Sequence, residues 1–267
     1  RSQRIQAVKD TVANVKDTAR AKLDEYSANR CKGGEPIDMV TGSYLIEQCD
    51  FIINDISGIF AVERTYESLL CSEDSPVGKG WTLNLFSRAV LFDDRVEIIL
   101  PDNHTETFLK TADGYRNRRG GTKRLFLTEN ESGFCMKEGK TGLTRIYDRK
   151  GRQQQILDRN GNQTLYQYKG DTLEKIQFAS GQYLYLRWQG NRLLSMEDCI
   201  GRAVRYYYDE DLLSRVEMVN GGTESYKYDS QGRVIEITDA NGITYVHNEY
   251  DTGNRVIRQS LSSGQEY

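Results

Sequence analysis

Apolar residues recur every three or four positions through the first 29 residues, at Ile5, Val8, Val12, Val15, Ala19, Leu23 and Tyr26, with charges between them. This spacing predicts one amphipathic helix, which Lys32-Gly33-Gly34 ends. Its apolar stripe is thin and needs a partner surface, either its own domain or, if it is a connector, an upstream delivery module. From Glu35 to about Cys135 the pattern shortens to strand-like runs at 44–46, 51–53, 60–63, 83–86, 96–100, 105–109 and 124–127. Turn signals at Ser57-Gly58, Asp113-Gly114 and Gly120-Gly121 separate them.

The remainder is periodic. Glycines fall at Gly142, Gly151, Gly161, Gly170, Gly181, Gly190, Gly201, Gly221, Gly232, Gly242, Gly253 and Gly264, about ten apart except for one doubled gap that holds Asp209-Glu210-Asp211. Aromatic pairs at i, i+2, as in Tyr166/Tyr168, Tyr206/Tyr208 and Tyr226/Tyr228, share one sheet face and recur with a full period of about twenty. Trp188 holds the position of the second Tyr in its repeat. The pattern predicts antiparallel strand pairs of about six to eight residues. In Asp148-Arg149-Lys150-Gly151, Asp158-Arg159-Asn160-Gly161, Asp229-Ser230-Gln231-Gly232 and Asp239-Ala240-Asn241-Gly242, the aspartate stands where its carboxylate accepts backbone N–H bonds, and Gly follows three residues later. These aspartates read as turn residues rather than catalysts, because they recur at one structural phase.

The unit Tyr228-Asp229-Ser230-Gln231-Gly232-Arg233-Val234, with Tyr147-Asp148, Tyr208-Asp209 and Tyr250-Asp251 opening further copies, resembles the YD repeat of Rhs proteins, teneurins and the shells of insecticidal toxin complexes. Tyr168-Lys169 and Trp188-Gln189 depart from the dipeptide. A second match lies upstream: Gly34-Glu35-Pro36-Ile37-Asp38, Thr41-Gly42, Asp50-Phe51, Arg64-Thr65-Tyr66 and Gly78-Lys79-Gly80-Trp81 are similar to the leader that precedes the repeats in bacterial Rhs proteins. The resemblance implies a sheet that spirals into a hollow shell around a C-terminal toxin. In that family an aspartate motif near the far end of the shell is associated with self-cleavage, and no Asp-Pro-x-Gly segment occurs in this sequence.

Composition narrows the function. Lys and Arg total 36 against 39 Asp and Glu, for a net charge of -3, so a general nucleic-acid or anionic-membrane surface is not expected. No apolar run approaches the ~18 residues of a membrane span. The 17 tyrosines suit sheets with one wetted face. Five widely spaced cysteines without a CxxC pair predict buried free thiols rather than a disulfide framework or a zinc site. His104 reads as a loop residue and His247 as sheet packing. Arg116, Arg118, Arg119, Lys123 and Arg124 read as a solvated hairpin tip, and the pairs Asp93-Asp94 and Glu73-Asp74 as loop charge. No catalytic, cofactor or metal residue is assigned.

The expected fold is all-β with one N-terminal helix, its repeated antiparallel hairpins forming a curved, spiralling sheet. Expected divisions are a helix over 1–30, a β-rich leader over 31–138 and about six YD repeats over 139–267. The expected function is structural: the start of a shell that encloses a toxin, in a protein secreted or delivered from a bacterial cell. Its partners would be the rest of its own polypeptide and a delivery module reached through residues 1–30. An adhesion module that binds glycan or protein through the tyrosine-rich face is the alternative.

Overall fold

The computed structural model describes residues 32–33, 36–38, 41–101, 104–118 and 124–266. The predicted helix over 1–29 lies outside them. Four antiparallel sheets make up the described residues. The smallest joins β1 (Lys32–Gly33) to β2 (Ile37–Asp38).

The second sheet joins β3 (Leu45–Asp55), β4 (Gly58–Glu67) and β5 (Trp81–Leu83). The runs at 44–46 and 51–53 are parts of the single strand β3. The polar stretch Glu47-Gln48-Cys49-Asp50 that separates them in sequence contains a β-bulge: Cys49 pairs with Glu63 and Phe51 with Val62, leaving Asp50 unpaired. A bulge turns an extra side chain toward the face of its neighbour, and Asp50 is buried together with Phe51 and Ile53. The run predicted at 83–86 is mostly turn, since β5 ends at Leu83.

The third sheet is β6 (Arg88–Leu91), β7 (Arg95–Ile99), β8 (Thr105–Thr111) and β9 (Gly114–Asn117). Its inward residues Val96, Ile98 and Phe108 share a core with Leu127, Phe134, Met136 and Tyr147.

The fourth sheet holds fourteen strands in strict sequence order. It begins with β10 (Leu125–Asn130), β11 (Gly133–Glu138), β12 (Thr144–Asp148), β13 (Gln153–Leu157) and β14 (Gln163–Lys169). It continues through β15 (Thr172–Gln177), β16 (Tyr183–Gln189), β17 (Arg192–Asp198), β18 (Ala203–Asp209) and β19 (Leu212–Glu217). It ends with β20 (Thr223–Tyr228), β21 (Val234–Thr238), β22 (Thr244–Tyr250) and β23 (Val256–Leu261). The sheet is open, with β10 and β23 at its edges. One face carries Leu184, Leu193, Met196, Val204, Leu213, Val216, Val234 and Ile237, all buried against the β3–β5 sheet. The opposite face is polar and laced with pairs such as Arg205–Glu217 at 2.8 Å and Lys227–Glu236 at 2.7 Å.

Among the described cysteines the thiols are free, but only Cys71 is buried; Cys135 is half-buried, and Cys49 and Cys199 are exposed. The expectation of buried thiols holds for Cys71 but not for Cys49, which lies beside the bulge, or Cys199, which sits in the turn between β17 and β18.

Candidate functional site

The repeats are fastened by a device that begins with a second set of bulges. Opposite the second aromatic of each period the register shifts by one residue: Tyr147 pairs with Gln153, Tyr168 with Leu173, Trp188 with Leu193, Tyr208 with Leu213, Tyr228 with Val234 and Tyr250 with Val256. The backbone carbonyls beside these bulges find partners in the following repeat. Tyr168 donates its hydroxyl to Gln153 O at 2.9 Å, Trp188 its indole N–H to Leu173 O at 2.7 Å, Tyr208 to Leu193 O at 2.6 Å, Tyr228 to Leu213 O at 2.7 Å and Tyr250 to Val234 O at 2.6 Å. Each aromatic therefore staples its own repeat to the one before. Tyr147, at the start of the series, bonds Ser87 Oγ at 2.8 Å instead.

Turns along one rim tie the repeats in the other direction. Asp229 Oδ1 accepts the N–H groups of Gln231 and Arg233, and its Oδ2 accepts Arg233 Nε at 2.7 Å. Burial works against that carboxylate, but the Arg233 side chain and the two N–H groups outweigh it and hold Asp229 below the ordinary range. Arg233 then reaches Asp251 O at 2.6 Å in the next repeat and lies 4.9 Å from the Tyr250 ring centroid. Arg152 does the same to Gly170 O and Tyr168. Asp148 and Asp251 make the same pattern with Arg152 and Arg255. On the opposite rim Asp198 uses Arg202, Asp158 uses Asn162, and Asp239 accepts Asn241 and Ile243 N–H.

The strands β3–β5 dock on the tyrosine face. Arg64 and Asp50 form a fully buried ion pair, with Arg64 Nε 3.1 Å from Asp50 Oδ2. Tyr206 donates to Asp50 Oδ2 at 2.6 Å, and Arg64 Nη1 donates to Tyr226 Oη at 3.0 Å. Tyr226 in turn donates to Glu224, which also accepts Tyr245 Oη at 2.5 Å. Trp81 packs 4.8 Å from the Tyr226 ring and 4.5 Å from the Arg64 guanidinium carbon, and its indole N–H reaches Tyr228 Oη at 2.9 Å. Tyr66 Oη accepts the N–H of Val234 at 3.0 Å. Burial lifts the phenols of Tyr66, Tyr206 and Tyr226 well above their ordinary range, so they stay neutral. Burial opposes the charge on Arg64, but Asp50 more than offsets it and holds the guanidinium protonated. The cluster binds the leader strands to the repeats.

This combination of a tyrosine-stapled repeat and a docked leader is matched by two family descriptions. The Teneurin YD-shell description fits residues 130–265, half of the chain, and a domain of unknown function, DUF6531, fits residues 34–108. The chain is a YD-repeat protein of the YD-shell family. The tRNA nuclease WapA of Bacillus subtilis strain 168 is 29% identical over 231 residues, and the tRNA(Glu)-specific nuclease WapA of B. subtilis subsp. natto is equally similar. The match covers 85% of this chain and 10% of either relative, so the chain spans about a tenth of their length. Among solved structures, a Photorhabdus luminescens Tc holotoxin pore aligns over 85% of this chain and 14% of its own at 11% identity and a TM-score of 0.38. The TcdB2-TccC3-TEV crystal structure aligns over 85% and 16% at 12% identity and a TM-score of 0.34.

Within this YD shell the leader motif is spread along one docking path. Gly34 and Glu35 lie outside the described residues. Pro36 O accepts Leu45 N–H, Asp38 Oδ1 accepts Thr41 N–H, and Gly42 O accepts Val256 N–H at 2.9 Å. Gly80 O accepts Glu67 N–H, which sets Trp81 beside Tyr66. Gly151, Gly161, Gly232 and Gly242 each donate the i+3 turn bond to their aspartate carbonyl.

Two members of the predicted motif are placed otherwise. Gly253 does not hold the left-handed position; Asn254 does, at φ +62°, and donates to Asp251 O. Asn254 stands at the same i+3 position that Gly holds in the other turns, so this turn differs from them only in residue type, and Asn tolerates the conformation. Asp209 caps no Asp-x-x-Gly turn: it pairs with Leu212 across a two-residue turn whose first member, Glu210, has φ +50°.

The sequence marks Asp50 only as part of the leader motif and gives Asp198, Glu224 and Tyr245 no role. Asp198-Cys199-Ile200-Gly201-Arg202 carries the turn motif in full and was findable. Asp50 depends on a bulge, and Tyr245 on a further register shift between β21 and β22. Of the basic group, Arg119 and Lys123 lie outside the described residues. His104 Nε2 lies 3.1 Å from Glu106, and His247 Nδ1 3.5 Å from Glu236 on the adjoining strand. No group of three or more metal-ligating side chains occurs among the described residues, and none of their helices is long and apolar enough to cross a membrane.

Proposed function

We propose that this chain is the opening segment of a shell that encloses a C-terminal toxin, in a protein delivered from a bacterial cell. The carrying observation is the unbroken order of the fourteen-stranded sheet, in which every strand hydrogen-bonds its sequence neighbour. Such a sheet grows by adding repeats at its free edge, and twist curls it as it grows. The nuclease activity named for the WapA relatives would belong to cargo beyond this segment, which itself is structural. Its partners in this reading are the later repeats, the enclosed toxin and a delivery module reached through residues 1–30. The leader over 31–138 would close against the repeats over 139–267. Electron microscopy of a full-length protein containing this chain tests the reading: a closed hollow particle is expected, and a solid globule or an open rod would contradict it.

Burial of the inner tyrosines weighs against the adhesion alternative. Tyr166, Tyr206 and Tyr226 lie beneath the leader, each at most 4% exposed. Among the described residues, Tyr185 is exposed on the opposite face, with Tyr183 and Tyr207 half-buried beside it. Saturable glycan-array binding that is lost in Tyr185→Ala would favour adhesion.

A further inference from the structure

The leader strand β3 crosses the repeats at a matched pitch. Asn54 O accepts Gln182 Nε2 at 2.8 Å, Ile52 O accepts Arg202 Nη2 at 3.4 Å, and Gln48 Nε2 donates to Glu224 Oε1 at 3.4 Å. Gln182, Arg202 and Glu224 are about one repeat apart, while the leader retreats from 54 to 52 to 48, on average three residues per repeat. Three residues of strand span about 10 Å, and two strands of a sheet about 9.6 Å. The two layers thus cross near right angles, with one leader site for each repeat.

The polar contacts also distinguish one repeat from another. Positions in phase with Tyr226 are Tyr166, Leu186, Tyr206 and Asn248. Only Tyr206 and Tyr226 supply phenols in consecutive repeats, and these are the two that meet Asp50 and Arg64. A slip of one repeat would set Asp50 against Leu186, leaving a buried carboxylate without that donor. Glu224 is likewise unique, since its phase-mates Thr164, Leu184, Val204 and Val246 carry no charge.

We propose that the β3–β4 hairpin is an intramolecular folding template that sets the register of the YD repeats. The hairpin is local in sequence, closed by the two residues Ile56 and Ser57, and precedes the repeats in the chain. A single repeat hairpin has a bare apolar face and is marginal alone. Repeats therefore become stable as they seat on a strand already formed.

The two tryptophans allow a test in the full chain. Trp81 lies in the leader at the docking site, and Trp188 lies in the sheet. In Trp188→Tyr, which keeps a staple donor, Trp81 becomes the sole indole reporter. Stopped-flow refolding should show Trp81 burial in step with, or ahead of, the far-UV β signal. A β signal completed in a faster phase, before Trp81 is buried, would overturn the template. Adding Arg64→Met to the same chain should slow refolding about a hundredfold or more and leave unfolding nearly unchanged. Unchanged refolding with faster unfolding would place docking after sheet formation and overturn the proposal as well.

Discussion

Trp81 donates its indole N–H to Tyr228 Oη at 2.9 Å, and Tyr228 donates onward to Leu213 O at 2.7 Å. One phenol thus joins the leader, its own repeat and the repeat before.

Tyr228→Phe removes both partners at once and leaves a buried N–H and a buried carbonyl unpaired. A loss of roughly 2–4 kcal/mol is expected, against about 1–2 for Tyr168→Phe, which frees only Gln153 O. Urea denaturation of the two variants compares them; equal midpoints would contradict the dual role.

The buried pair gives a sharper contrast. Arg64→Met or Asp50→Leu alone strands a charge in the core and should cost about 3–5 kcal/mol, whereas the double variant should be much less damaging than the sum. A double-mutant cycle by thermal denaturation reads the coupling. Additive losses would mean that the two charges do not depend on each other.

Acid should loosen the turns and the hairpin tip before it affects the apolar core. Asn162 holds Asp158 low, the Ile243 N–H holds Asp239 low, and the Arg255 N–H holds Asp251 low. At Asp55 burial pulls upward, but bonds from Ser57 and Ser180 outweigh it and bring the carboxyl to about 2. A carboxyl depressed in the folded state binds more protons when unfolded, so its stabilisation is present above the unfolded value of about 3.9 and is lost as pH falls through the folded value. The melting temperature should be flat from about pH 7 to 5 and fall below about pH 4. Asp239→Asn should reduce that slope. A slope unchanged by this substitution would remove Asp239 from the account.

Backbone closeness separates two otherwise equivalent turns. Gly151 and Gly161 have φ +79° and +83°, but a Cβ on Gly151 would stand 1.9 Å from Ala89 O, while one on Gly161 meets nothing within 4 Å. Gly161→Ala should cost about 1 kcal/mol of conformational strain. Gly151→Ala should cost several times more, because Ala89 N–H bonds Gly151 O at 2.8 Å and the β6–β9 sheet hangs on that contact. Circular dichroism melts of the two variants compare them directly.

The repeats were legible because local chemistry writes them. A turn such as Asp158–Gly161 needs a carboxylate and a left-handed position at fixed spacing, and alternation puts Tyr206 and Tyr208 on one face. Glycine was a less reliable signpost where Asn254 does the same work. The Tyr-Asp dipeptide misleads at Asp209, where the doubled glycine gap marks a shorter turn. Asp50 and Glu224 could not be read, since their roles arise from a bulge and from partners more than 150 residues away in the chain. Merging the two apolar runs of β3 into one strand likewise depended on its pairing with β4 across polar residues.

The central claim is that the leader covers the tyrosine face of the repeats. Hydroxyl-radical footprinting of the folded chain, read by mass spectrometry, tests it residue by residue. Tyr206 and Tyr226, at 2% and 4% exposure, should stay protected while Tyr185, at 44%, is oxidised. Oxidation of Tyr206 and Tyr226 at a rate like that of Tyr185, in the natively folded protein, would contradict the account.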